Sequence, residues 1–336
     1  MDIAKPYLLF LGDVQDQLAA KTASGVVDWR PEWCVGQRRL PGCKADTGLP
    51  DLSLAEAAAK GARTMVVGVA NAGGVLPEHW ISEIVAALEA GLDVATGLHK
   101  RLNSIPAIAE AAARHGRHLH DVRFSNISFT TGKGSKRPGL RLLTVGTDCS
   151  VGKKYTALAI DRELHRRGIA SDFRATGQTG VLISGRGVAI DAVVADFISG
   201  AAEWISPAND SNHWDIVEGQ GSLFHPSFAG VTLGLLHGAQ PDAFVVCHEP
   251  TRSTMRGVAH KLPSIQQVID RTVADGQLTN PDIACVGIAI NTEHLSEAKA
   301  MKCLDETGKA HGLPCVDPIR TGVAAIADEM FRRFKA

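Results

Sequence analysis

The stretch Leu140-Arg141-Leu142-Leu143-Thr144-Val145-Gly146-Thr147-Asp148-Cys149-Ser150-Val151-Gly152-Lys153 runs from an apolar strand through a turn-forming loop, and a helical pattern continues from Lys154 to Arg167. Strand, glycine-bounded loop and helix in that order are what a phosphate cradle requires. Glycines let the backbone curl until successive N–H groups point inward, the helix amino terminus adds partial positive charge, and a lysine ammonium completes the site. Gly146, Thr147, Cys149, Ser150, Val151, Gly152 and Lys153 are the expected contacts of a bound phosphate group.

The loop is one residue longer than Gly-x-x-x-x-Gly-Lys, and its head Gly146-Thr147-Asp148 and end Val151-Gly152-Lys153 resemble the loop of dethiobiotin synthetase and its relatives. It departs at Lys154, where a nucleoside triphosphatase carries the Ser or Thr whose hydroxyl holds magnesium. Thr156 is a poor substitute for that anchor. A second ammonium favours a phosphate-rich ligand held by cations and without metal. A cofactor not cleaved at phosphorus, such as coenzyme A, suits these residues better than ATP hydrolysis.

Working outward, the second half alternates strand patterns near Leu140 to Gly146, Ala170 to Ala175, Asp215 to Val217, Ala243 to Val246, Ile283 to Ile290 and Cys315 to Val316 with helical ones. The helices are expected near Lys154 to Arg167, Ala189 to Trp204, Ile265 to Ala274 and Val323 to Phe334. The first half repeats the scheme, with strands at Tyr7 to Leu11, Thr64 to Ala70, Leu92 to Gly97 and His118 to Val122, and helices over Pro77 to Ala90 and Ile105 to His115. Between the halves, Thr131 to Gly139 gathers turn formers and basic charge and breaks the periodicity. The expected architecture is α/β: a Rossmann-like parallel-sheet domain over 1–135, then a P-loop NTPase-like parallel-sheet domain over 136–336. A glycine cluster, Asn71-Ala72-Gly73-Gly74, follows the second strand at the end where such sheets bind ligands, but it is no Gly-x-Gly-x-x-Gly. It reads equally as a ligand loop or a packing loop.

Composition narrows the function classes. With 35 Lys and Arg against 36 Asp and Glu, the net charge of -1 provides no field for nucleic acid or an anionic membrane surface. Neither is an expected partner. Aromatic residues are only 5% while glycines number 34, which suits helices on parallel strands better than an all-β sandwich. The seven cysteines include no Cys-x-x-Cys pair and are odd in number, so no disulfide framework is expected, and Cys247, Cys285 and Cys315 lie in apolar runs as small buried hydrophobes. A cytoplasmic location fits such cysteine usage, and no signal-peptide pattern or long apolar run stands against it.

Four further clusters fall at expected strand ends, where open parallel sheets bind ligands. Glu218, in Asp215-Ile216-Val217-Glu218-Gly219-Gln220-Gly221-Ser222, should face the phosphate loop and either act as a general base or cap the turn. Arg174, Gln178 and Thr179, in Phe173 to Gly180, can line a substrate pocket, with Arg174 facing either a substrate carboxylate or an ordinary ion-pair partner. His248 and Arg252, in Cys247-His248-Glu249-Pro250-Thr251-Arg252, are candidates for the same pocket, and His225 for carrying a proton. Asn291 stands either where related P-loop proteins read an adenine ring or as a plain turn cap.

Taken together, Gly146 to Lys153, Gly177-Gln178-Thr179-Gly180, Val217 to Ser222, His248 to Arg252, Ile290-Asn291-Thr292, Lys21-Thr22-Ala23-Ser24-Gly25 and Ala70-Asn71-Ala72-Gly73-Gly74 resemble the DgcN-type D-glutamate N-acetyltransferases over nearly the whole chain. The resemblance implies acetyl transfer from acetyl-CoA to the amine of D-glutamate. It also implies a pathway partner, a racemase acting on N-acetyl-D-glutamate in D-amino-acid catabolism. A homo-oligomer is expected. The removal of the ammonium proton falls to Glu218 first, with Asp148 and His225 in reserve, a choice made on chemistry rather than on the resemblance. Two other functions fit a phosphate loop: an ATP- and magnesium-dependent ligase of the dethiobiotin-synthetase kind, which Lys154 argues against, and a nucleotide-binding protein without chemistry.

Overall fold

The computed structural model describes residues 3–69, 76–125 and 127–334. The chain divides into two compact units, one of residues 1–126 with 177–192, the other of 127–176 with 193–336. Residues 177–192, read from the sequence as part of the second half, thus belong with the first.

In the first unit the elements are β1 (Tyr7–Gly12), α1 (Lys21–Trp29), β2 (Cys34–Arg39), α2 (Leu54–Ala59), β3 (Thr64–Val67), α3 (Glu78–Glu89), β4 (Asp93–Thr96), α4 (Pro106–His115) and β5 (Leu119–Asp121). The strands form a parallel sheet of order β2-β1-β3-β4-β5. This is a doubly wound order of the Rossmann-like class. Every residue of β1 is buried, the reason it reads as an unbroken apolar run. The α3 helix buries Trp80, Ile84, Ala87 and Leu88, the core stripe its periodicity announces. The edge strand β2, Cys-Val-Gly-Gln-Arg-Arg, has no apolar alternation and escapes sequence reading, as does α1. The cluster Asn71 to Gly74 lies outside the described residues.

The second unit contains β6 (Leu140–Gly146), α5 (Lys153–Arg166) and β7 (Ser171–Arg174); the chain then passes to the first unit for α6 (Gln178–Ser184). It returns for α7 (Ile198–Ile205), β8 (Trp214–Val217), α8 (Ala229–Ala239), β9 (Ala243–His248), α9 (Ile265–Gly276), β10 (Ala284–Ile290), α10 (Glu297–His311), β11 (Cys315–Val316) and α11 (Ala324–Phe334). The sheet order is β11-β10-β9-β6-β8-β7, all parallel. β6 is therefore central, and β8 and β9 bring their carboxyl ends to either side of the loop that follows it. The helix expected over Ala189 to Trp204 is a correction: 3-10 turns occupy Ile190–Ala192 and Ala195–Phe197, and the α-helix starts only at Ile198. The chain changes units at 192, and Asp191 is tied to Arg123 of the first unit, so one continuous helix is impossible. Cys247 and Cys285 are buried as expected, and burial pushes their thiols up to about 11 and about 12; Cys315 is only half-buried.

The base of the second sheet is organised by Arg141, whose side chain is fully buried. Its guanidinium donates to the carbonyls of Arg137, Pro138 and Gly139 in the connecting segment and of Ser206 and Pro207 before β8, at 2.7–3.3 Å. The buried guanidinium thus ties the connecting segment and the turn before β8 to the start of β6. Arg141→Met is expected to destabilise the protein by about 3–5 kcal/mol, the scale for removing one side of a buried charged network. Urea denaturation measures it, and a loss under about 0.5 kcal/mol would mean that water replaces the guanidinium.

Candidate active site

The loop after β6 is curled as a phosphate cradle must be. Ser150 is left-handed at φ 54° and Gly152 at φ 100°, the second a conformation that only glycine adopts without strain. None of the backbone N–H groups from Cys149 to Lys153 donates to an acceptor among the described residues, in a loop where Asp148 and Val151 are buried. Unpaired N–H groups at the start of the 14-residue α5 helix form a nest with partial positive charge. Lys153, the first residue of α5, is buried and folds its ammonium back to donate to Asp148 O at 2.7 Å. Burial pulls its pKa below the ordinary lysine value, against the opposing pull of Cys149, Cys247, Asp148 and Glu218. A phosphate group would relieve that cost by giving the cation a partner.

The segment following β9 wraps the outside of the loop. Thr147 Oγ1 and His248 Nδ1 lie 3.0 Å apart. Arg252 donates to Cys149 O and Ser150 O, both at 2.8 Å, and to Asp148 Oδ2 at 3.2 Å, while its Nε meets Glu249 Oε2 at 2.9 Å. Arg256, which sequence reading did not single out, donates its backbone N–H to Asp148 Oδ2 and its guanidinium to Ser150 Oγ. Glu249 is buried; burial works to raise its carboxyl, but the Thr251 hydrogen bonds and the Arg252 charge hold it below the usual range.

On the other side, β8 ends at Val217, and the buried Glu218 accepts from Thr176 N at 3.0 Å. Gly219 is obligatory here: a Cβ would stand 1.6 Å from Thr144 O and 3.1 Å from Lys153 Cδ. The glycine lets the acidic strand end close against the loop lysine. Asn291 lies beside Gly152, whose Cβ position is 4.0 Å from that of Asn291; its amide oxygen accepts from Glu293 N, the turn cap. The Lys154 ammonium stands over the Tyr155 ring at 5.0 Å, and Thr156 Oγ1 donates to Gly152 O.

The remaining expected residues fall elsewhere. The guanidinium of Arg174 is held by Asp215 at 2.7–2.8 Å and Asp172 at 2.9 Å, an ion pair that accounts for its conservative alternative reading. Gln178 and Thr179 open α6 in the first unit, where Thr179 Oγ1 lies 3.3 Å from Thr22 Oγ1 at the start of α1. Two of the motifs quoted from the sequence, Lys21 to Gly25 and Gly177 to Gly180, thereby meet within one unit. His225 is buried with both ring nitrogens engaged, Nε2 with Arg256 O and Nδ1 accepting from Ser227 N. Asp148 keeps Oδ1 buried and without a hydrogen-bond partner. A cavity of 330 Å³ opens beside His248, bounded by Ser264, which caps α9, Ile265 of α9, and Thr307 and His311 of α10.

The fold and loop define a two-unit α/β protein whose second unit carries a loop of the P-loop type. Residues 128–327 match the domain of unknown function DUF1611_C, described as a P-loop domain, and residues 38–125 match DUF1611_N, described as Rossmann-like. The chain belongs to the DUF1611 family. It is similar to a D-glutamate N-acetyltransferase of Tritonibacter scottomollicae, 53% identical over 329 residues covering 98% of this chain and 99% of that one. A second D-glutamate N-acetyltransferase, from a Pseudoalteromonas species, is 51% identical over 327 residues, covering 97% and 98%. The crystal structure of a DUF1611 family protein from Anabaena variabilis ATCC 29413 superposes with a TM-score of 0.87 at 30% identity, covering 98% of this chain and all of that one.

Burial depresses the pKa of His248 below its ordinary 6.5 and so favours the neutral ring, whose Nδ1 lies 3.0 Å from the Thr147 hydroxyl. Between the folded value and 6.5 the unfolded chain binds more protons, so this residue's contribution to stability is lost as pH falls through that window. His248→Asn is expected to flatten the decline of Tm on acidification from about pH 7 to 5. Parallel pH profiles for variant and wild type would remove the histidine from that decline.

Proposed function

We propose that this chain is a D-glutamate N-acetyltransferase, taking its acetyl group from acetyl-CoA and holding that cofactor's phosphates in the Gly146 to Lys153 loop. The reading is carried by the two relatives of that name, each aligned over at least 97% of this chain. The unpaired N–H groups of the loop give it a physical basis. N-acetyl-D-glutamate would pass to a racemase in D-amino-acid catabolism. Among the described residues no helix is long and apolar enough to cross a membrane, and the reading keeps the cytoplasm as the site of action.

The donor set supports transfer without a resident metal. Position 154 carries an ammonium, the Thr156 hydroxyl is spent on Gly152 O, and the donors nearest the loop, Asp148, Cys149 and His225, stand among Arg252, Arg256 and Lys153. Cations already occupy the electrostatic place of magnesium. Burial raises the Cys149 thiol, so this residue serves the reading as part of the cradle rather than as a thiolate.

An amino acid is mostly ammonium near neutral pH, and its proton must leave before nitrogen attacks the thioester carbon. The nitrogen then bonds to the acetyl carbon, the carbon–sulfur bond breaks, and the thiol of coenzyme A departs with a proton. Glu218, which accepts from Thr176 N, is the proposed acceptor of the ammonium proton because it follows β8 at the strand end beside the loop lysine, with Asp148 and His225 in reserve. The thioester is carried on a pantetheine arm remote from the phosphates, so this role requires the arm to fold back along the end of β8.

The deciding assay is thiol release from acetyl-CoA in the presence of D-glutamate and a panel of other amino acids, run with EDTA, which should leave the rate unchanged. No release with any amine, together with thermal stabilisation by ATP and magnesium alone, would transfer the reading to a ligase. Lys153→Ala should raise the KM for acetyl-CoA about tenfold or more, the worth of one charged hydrogen bond, with the fold intact. An unchanged KM would detach the loop from the cofactor. Glu218→Gln should lower kcat about 100-fold with little change in acetyl-CoA binding; a raised KM with kcat preserved would assign Glu218 to the phosphate end.

A further inference from the structure

Sequence reading offers Arg252 as a candidate for the substrate pocket, yet its guanidinium is engaged along its length by Glu249, Asp148 Oδ2 and the carbonyls of Cys149 and Ser150. We propose instead that Arg252 is a positioning residue that holds the phosphate loop in its anion-binding curl and does not meet the acceptor amino acid. The proposal rests on the cofactor role given to this loop above.

In a planar trans peptide the C=O and the following N–H point in opposite directions. Arg252 draws the carbonyls of Cys149 and Ser150 to the outer side of the loop, so the N–H groups of Ser150 and Val151 are turned to the inner side. Those are among the N–H groups that donate to no acceptor among the described residues. Without the guanidinium, each peptide could flip and present a carbonyl oxygen to an incoming phosphate, and Ser150, already left-handed at φ 54°, would lose what pays for its strain.

The collar is itself braced. Glu249 Oε1 accepts from Thr251 N and Oγ1, which leaves Oε2 aimed at the Arg252 Nε. Arg256 adds its backbone N–H to the same Asp148 oxygen. A lysine at 252 could not reproduce this, because one ammonium lacks the planar fork that reaches two successive carbonyls.

The test is calorimetric titration of wild type, Arg252→Met and Arg252→Lys with coenzyme A and with inorganic pyrophosphate, beside steady-state kinetics. Arg252→Met is expected to weaken both ligands about tenfold or more, with partial recovery at most in Arg252→Lys. The KM for D-glutamate and the kcat at saturation should stay near wild type. A raised D-glutamate KM with both affinities intact would overturn the proposal and return Arg252 to the acceptor site. If the wild type binds pyrophosphate but not coenzyme A, the cofactor assignment fails and the positioning role is judged on pyrophosphate alone; binding of neither overturns both. Should Arg252→Met fail to fold, Glu249→Gln releases the guanidinium while keeping its charge and is expected to weaken both ligands in the same way.

Discussion

The outward pull on the carbonyls of Cys149 and Ser150 is the interaction on which the rest of the second unit's chemistry depends. A loop between a strand and a helix has no ladder to fix its peptide planes. Here the planes are set from outside, by a guanidinium that a buried carboxylate holds in place. The inner face is left with N–H groups and one buried ammonium, whose charge burial disfavours and an anion would offset.

On the proposed reading that arrangement grips phosphate without cleaving it. Phosphoryl transfer needs charge neutralised on the moving group, commonly by magnesium anchored on a hydroxyl after the loop lysine. Lys154 displaces that hydroxyl, and Thr156 turns its own back to Gly152 O. On the proposed reading the loop is a handle for the cofactor and the chemistry belongs to the neighbouring strand ends; the absence of a side chain at Gly219 lets the end of β8 lie against the loop lysine.

Several elements were invisible to pattern reading for identifiable reasons. β2 lies at a sheet edge, so its arginines face ion-pair partners such as Glu83 and Asp51 instead of the core, and no alternation results. α6 is seven residues long and surrounded by glycines, and its place is set by close approach to α1 and to Gly97, where a Cβ would meet Gln178 Cγ at 2.6 Å. The supposed helix over Ala189 to Trp204 satisfied a helical period, yet it straddles the point at which the chain leaves one unit for the other. Arg174 and Arg252 carried a functional look that their buried carboxylate partners explain, and such partners sit 41 and 104 residues away in sequence.

What the sequence determined by itself is local and periodic: the apolar strands, the amphipathic helices, the glycine–lysine loop at a helix start, and hence an α/β chain with a P-loop unit. Each follows from backbone sterics and burial acting over a few consecutive residues. The tertiary structure alone decided which unit claims residues 177–192, that the His248 to Arg252 segment clamps the loop, and that Asp148 and His225 are engaged as supports. Those outcomes depend on which distant groups reach hydrogen-bonding range when parallel strands align, and a linear pattern carries no record of that distance.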